Sequence, residues 1–318
     1  MVNQNNVEKL FDCLDQSATL YYEKLKLPYL EGLVKTCENI LANSVITDDI
    51  DLNKELMDLI NQVKDIEFNK EEIRKAFQYS CLRGLKHQGI SNQMITPESI
   101  GLFFSYLVEK LYDLSEFTIF DPLIGSGNLI TSLANNLDKD TNLIGVDKEI
   151  RYYKMAQALF GMLEYGENVY CQNVLSFEHI IADLIVTDFS GVIQEDIYDI
   201  IKHVHSLLRE DGFFISVIDN YFFDDERIRD FIYKVKEKWH FFGMIVLPSI
   251  IFKNSNKSIF ILQKIGSEFI RPEKFLVADL PDFNDEVEMI KVINQLNHWF
   301  KKIEFYRVRE NDEKNYGS

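Results

Sequence analysis

The sequence predicts an α/β protein: a parallel sheet covered by helices on both faces, preceded by an all-helical region. Three observations predict it. From residue 117 onward, short apolar runs alternate with helical stretches. Those runs are nearly continuous in Val, Ile, Leu and Phe, as strands buried on both faces must be. Before residue 117 no strand pattern occurs, and apolar residues recur at helical spacing instead.

Taken in order, residues 7–41 read as helical and 42–52 as a polar connector. Leu56, Leu59, Ile60, Val63 and Ile66 then mark one face of an amphipathic helix, and a third helical segment runs from Glu71 to Lys86. Residues 1–88 are expected to form a helical domain. Strands are expected at 118–123, 142–147, 168–172, 183–188, 212–219, 241–247 and 258–263. Helices are expected near 128–137, 149–164, 194–209 and 225–238. The loop 248–257 is too short for a helical crossover, so the last two strands should pair antiparallel. Seven strands ending in such a pair form a Rossmann-like sheet distinct from the ordinary dinucleotide fold; its domain spans 89–266. Residues 267–318 are expected to be a helical appendage and tail, with Val287, Ile290, Ile293, Leu296 and Phe300 on its helix.

The apolar fraction of 46% over 318 residues is enough to fill a core. No stretch of 18 apolar residues suggests a membrane span, and no basic region leads into an apolar one at the N-terminus. Cys13, Cys37, Cys81 and Cys171 are far apart, as expected of reduced thiols in a cytoplasmic protein. The net charge is −17, and residues 101–200 carry 16 acidic against 5 basic side chains. Duplex binding draws much of its affinity from Lys and Arg on phosphates. Nucleic acid is therefore expected to require a basic partner protein, and oligomeric state is left open.

The most informative stretch is Asp121-Pro122-Leu123-Ile124-Gly125-Ser126-Gly127-Asn128. It joins a strand-like run to a helix-like one. Glycines permit a sharp turn and let a ligand approach the backbone. A pyrophosphate fingerprint needs a third glycine, and position 130 is Ile. An acid closing the strand would repel a pyrophosphate and suit a cationic amine. Asp147, at the tip of the next strand, is placed to accept from ribose hydroxyls. An amine plus a ribose without phosphate describes S-adenosylmethionine. A tight turn with no ligand is the bland alternative.

This stretch resembles motif I of the N6-adenine DNA methyltransferases, in particular that of type I restriction modification subunits. Asn92-Gln93-Met94-Ile95-Thr96-Pro97-Glu98-Ser99 resembles the Thr-Pro segment of that family. Leu247-Pro248-Ser249-Ile250-Ile251-Phe252, followed by the strand 258–264, resembles its Leu-Pro-x-x-x-Phe loop. The chain also looks like the YtxK-like family of small stand-alone relatives. The resemblance implies that Thr96 and Asp121 hold the methionine end, with Pro122, Gly125, Gly127 and Asn128 forming the loop. It implies Asp147 for the ribose, and Lys148, Asn173 and Val174 around the adenine.

The family closes its fourth strand with Asn/Asp-Pro-Pro-Tyr/Phe, whose polar groups accept from the target amine. Here the corresponding residues are Asp188-Phe189-Ser190-Gly191. Asp188, Phe189 and Ser190 are thus the candidate catalytic residues. Two readings stay open: an altered acceptor site led by Asp188, or a degenerate loop in a cofactor- or partner-binding protein. His203 and His205 are two apart on a helix and do not share a face, and no metal-ligand spacing occurs. Asp224-Asp225-Glu226 reads as a helix-start signal.

Overall fold

The computed structural model describes residues 2–91, 95–224, 227–252, 256–267, 272 and 274–315, with side chains beyond Ile303 left aside. The elements run α1 (Gln4–Leu25), α2 (Tyr29–Ala42), α3 (Ile50–Asn61), α4 (Lys70–His87), α5 (Glu98–Leu111), β1 (Glu116–Asp121), α6 (Asn128–Asn135), β2 (Asp140–Asp147) and α7 (Ile150–Met162). They continue with β3 (Val169–Cys171), β4 (Ala182–Asp188), α8 (Gln194–Val204), β5 (Leu208–Asp219), α9 (Tyr221–Asp224), α10 (Arg227–Val235), β6 (Trp239–Val246), β7 (Lys257–Lys264), β8 (Leu276–Asp279) and α11 (Glu286–Asn315). The strand order is β3-β2-β1-β4-β5-β7-β6-β8. All seven expected strands are present, and β7 lies antiparallel to both β5 and β6. No helix among the described residues is long and apolar enough to cross a membrane.

The chain divides into two compact units, residues 1–105 with 121–177, and residues 106–120 with 178–318. In the first, α1, α2 and α4 share one apolar core with α7: Leu10, Leu14, Leu33, Phe77 and Cys81 pack together with Met155, Leu159 and Leu163. The helical region is therefore continuous with the packing behind the glycine turn. The stretch 7–41 is two helices, because Lys26 turns into the left-handed region and Pro28 has no N–H with which to continue α1. α3 starts at Ile50, capped by Asp49, whose carboxylate accepts from the N–H groups of Asp51 and Leu52. It ends at Asn61, so Val63 and Ile66 lie beyond it. A capping box, Asn69 with Glu72, opens α4.

In the second unit β1 pairs with β4 and β4 with β5, both parallel. Phe213, Phe214, Phe222, Phe242, Phe260 and Trp239 fill its core. The Tyr112 hydroxyl donates to the Asp183 carbonyl at 2.6 Å and accepts from the Phe213 N–H at 2.8 Å. It thereby satisfies the ladder where the β4–β5 register shifts. One strand among the described residues was not expected: β8 adds parallel to β6 along Gly243–Val246. On α11, Leu296, Phe300 and Ile303 are buried, whereas Val287 and Ile290 are exposed. Residues Asn92–Met94 of the Thr-Pro segment, and Asp225 and Glu226 of the acidic run, lie outside the described residues.

Candidate functional site

β1 ends in Asp121, which is 1% exposed. Its Oδ1 accepts from the Leu123 N–H at 3.0 Å, a local turn that Asp favours. The Ile124 N–H bonds the Val146 carbonyl at 3.0 Å, and the Gly127 N–H bonds the Ile124 carbonyl at 2.8 Å. Gly125 and Gly127 take φ of 53° and 81°, the left-handed region that costs L side chains energy. A Cβ on Gly127 would meet nothing nearer than 3.6 Å, so the backbone conformation is what requires glycine there. Gly127 caps α6 without a side chain, which leaves helix N-terminal N–H groups for a ligand.

Asp147 ends β2. Its Oδ2 accepts from the Gly125 N–H at 3.2 Å and its Oδ1 from the Glu149 N–H at 2.8 Å. Burial pushes its carboxyl above the usual carboxylate range, and the two backbone bonds draw it partly back. The Gln172 N–H bonds the Asp147 carbonyl at 3.0 Å, which brings the end of β3 alongside. Asn173 follows, exposed, its Oδ1 accepting from the Leu175 N–H at 3.0 Å. Val174 is buried and Lys148 is exposed. Pro122 lies in the turn after β1.

Thr96 is buried just before α5, and its carbonyl accepts from Asn128 Nδ2 at 2.7 Å. Asn128 Oδ1 accepts from Arg74 Nη1 at 2.7 Å. Hydrogen bonds thus join Thr96 to Asn128 and Asp147 to Gly125, and the continuous stretch 121–128 carries Asp121, Gly125, Gly127 and Asn128 between them within the first unit. Arg74 is the residue here that sequence reasoning missed. It occupies an ordinary position in an amphipathic helix, with nothing in the local pattern to signal its partners.

The acceptor loop belongs to the second unit. Asp188 Oδ1 accepts from the Ser190 N–H at 2.9 Å and from Ser190 Oγ at 2.5 Å. Ser190 Oγ in turn accepts from Lys257 Nζ. Lys257 is 6% exposed, and its ammonium lies 4.9 Å from the Phe252 ring centroid. A Lys–Ser–Asp chain thus braces a loop that has no prolines. Gly191 takes φ of 79° to complete its turn. The Phe189 side chain is 3% exposed and packs against Phe214, with ring centroids 6.2 Å apart. Its ring serves the core, its N–H donates to the Val217 carbonyl at 3.0 Å and its carbonyl accepts from the Val192 N–H at 3.1 Å. Lys257 also escaped sequence reasoning, although a lysine opening an otherwise apolar strand was visible. Among the described residues no group of three or more His, Cys, Asp and Glu is gathered for a metal.

Strands 3-2-1-4-5-7-6 with an antiparallel β7, and an acid followed by a two-glycine turn after β1, define the Rossmann-like sheet of the methyltransferases. Known proteins agree. Residues 8–85 match the family described as the YtxK N-terminal helical domain. The uncharacterized protein YtxK of Bacillus subtilis strain 168 is 29% identical over 329 aligned positions, covering 95% of this chain and 99% of that one. A crystal structure from Listeria monocytogenes, described as a candidate class I S-adenosylmethionine-dependent methyltransferase, superposes with a TM-score of 0.85. It has 25% identity over 94% of this chain and all of that one. The methyltransferase subunit of a type I restriction-modification system from Streptococcus thermophilus shares the fold. Its TM-score is 0.57 at 14% identity, over 91% of this chain and 74% of that one.

Proposed function

We propose that this chain is an S-adenosylmethionine-dependent methyltransferase of the lineage of the N6-adenine DNA enzymes, with an acceptor loop rebuilt around Ser190 and Lys257. The observation that carries this reading is the pair of buried carboxylates, Asp121 and Asp147, on a two-glycine turn. The donor set fits the cofactor. No basic side chain lies in residues 121–128 to greet a pyrophosphate, whereas Asp121 suits an ammonium group. Each Asp147 oxygen takes one backbone N–H and keeps lone-pair capacity for a ribose hydroxyl. Thr96 and Asp121 would hold the amino-acid end, and the Gly125–Gly127 backbone would support it. Asp147 would bind the ribose, and Lys148, Asn173 and Val174 would border the adenine. The bound cofactor supplies an electrophilic methyl group, and Asp188 and Ser190 would orient the nucleophile. Catalysis would come mainly from that orientation. Net charge of −17 favours a basic partner protein if the acceptor is nucleic acid.

A second reading, a non-catalytic cofactor-binding or partner-binding protein, is favoured by one observation. Asp188 Oδ1 is already engaged by Ser190, and Ser190 by Lys257. Tritiated methyl transfer into DNA, RNA and cell lysate separates the two. Incorporation that disappears in Asp188→Ala supports the enzyme. Absence of transfer from a protein that binds the cofactor supports the second reading.

A further inference from the structure

We infer that Arg74, on a helix outside the glycine turn, is the positioning residue that fixes the cofactor loop through the side-chain amide of Asn128. The inference rests on the cofactor reading above and adds a residue and a route to it. Arg74 is fully buried, at 0% exposure. Its Nε donates to Glu71 Oε2 at 2.8 Å, and its Nη2 reaches Glu71 at 2.6 Å and Glu98 at 3.3 Å. Its Nη1 donates to Gln78 Oε1 at 2.8 Å and to Asn128 Oδ1 at 2.7 Å. One guanidinium therefore ties α4 to the first residue of α5 and the first residue of α6.

The chemistry of that contact is directional. A guanidinium has five donors and no acceptor. It fixes the Asn128 amide with the oxygen toward Arg74 and the nitrogen toward the Thr96 carbonyl, where it donates at 2.7 Å. The two segments proposed to hold the methionine end, Thr96 and the 125–128 turn, are thus joined by one amide whose orientation α4 dictates. Glu71 and Glu98 balance the buried cation, and Lys75 bonds Glu98 at 2.9 Å on its other side. A lysine at position 74 would keep the charge but lose the planar fork that reaches Glu71, Gln78 and Asn128 together. The helical region therefore acts on cofactor affinity without contributing a ligand.

The test is calorimetric titration of the full chain with S-adenosylhomocysteine, beside a thermal melt of each variant. Asn128→Asp keeps an acceptor for Arg74 but sets a carboxylate against the Thr96 carbonyl. Its affinity should fall at least tenfold while its melt stays cooperative. Arg74→Lys should lose affinity to a similar degree. A measurement on the unmutated protein covers the case in which a variant fails to fold. Ligand should slow amide hydrogen exchange in α4 around residues 70–78 together with residues 96–101 and 125–131. Asn128→Asp binding within twofold of the unmutated chain, or exchange in α4 unaffected by ligand, overturns the inference. If the unmutated chain binds no S-adenosylhomocysteine, the cofactor reading itself is lost.

Discussion

Asp121 and Asp147 are acids in places where burial alone would disfavour their charge. Backbone N–H groups of the turn compensate in part, and a ligand with an ammonium group and ribose hydroxyls would complete the compensation. Hydrogen bonds to charged groups contribute about 1.5–3 kcal/mol each, so Asp121→Ala and Asp147→Ala should each weaken cofactor binding roughly ten- to a hundredfold. The expected pH dependence follows from the raised carboxyl of Asp147: affinity is full when it is ionised and declines as acid protonates it, above the ordinary carboxylate range. Titration across pH 4 to 8 would show this. Both acids were legible in the sequence because each ends an apolar strand. Lys257 and Arg74 were not, since their roles depend on partners 67 and 54 residues away in the chain. Local pattern carries no information at that range.

At the scale of elements, β2 crosses the turn through Gly145, where a Cβ would overlap the Ile124 side chain. Gly145→Ala should cost about 1–3 kcal/mol through overpacking, read as a lowered Tm. The start of β5 offers a second test. His205 packs edge-on against Trp239, and burial together with the Lys264 ammonium pushes its imidazole down to about 4. The unfolded chain takes up that proton near 6.5. The folded state therefore resists protonation, and stability is full above about 6.5 and declines as pH falls toward about 4. Urea midpoints at pH 7 and pH 5 should differ less in His205→Phe than in the unmutated chain; an equal difference would show that another group is responsible. Element type was well encoded from residue 117 onward, because buried strands and amphipathic helices differ in period. β8 escaped because its four residues, Leu276–Asp279, make too short a pattern to separate strand from helix. The α1–α2 break was signalled by Pro28 and was still read through.

Across the whole molecule, the helical region and residues 121–177 bury the same apolar side chains, so each depends on the other. A chain that begins at residue 89 would expose Met155, Ala158, Leu159 and Leu163 on α7. By circular dichroism it should melt at lower temperature and with a smaller cooperative change than the full chain, because only the second unit keeps its core. This shared core could not be read from sequence, since an apolar helical stripe does not name the element that covers it. The second unit has its own core, around Phe213, Phe242, Phe260 and Trp239, and carries the braced Asp188 loop. The central claim is that the turn after β1 is built for S-adenosylmethionine. Calorimetric titration of the full chain with that compound, repeated on Asp121→Ala, tests it most directly. The account predicts saturable binding of one ligand per chain, weakened at least tenfold by the substitution. Absence of binding at high micromolar ligand, or equal affinity in Asp121→Ala, would contradict it.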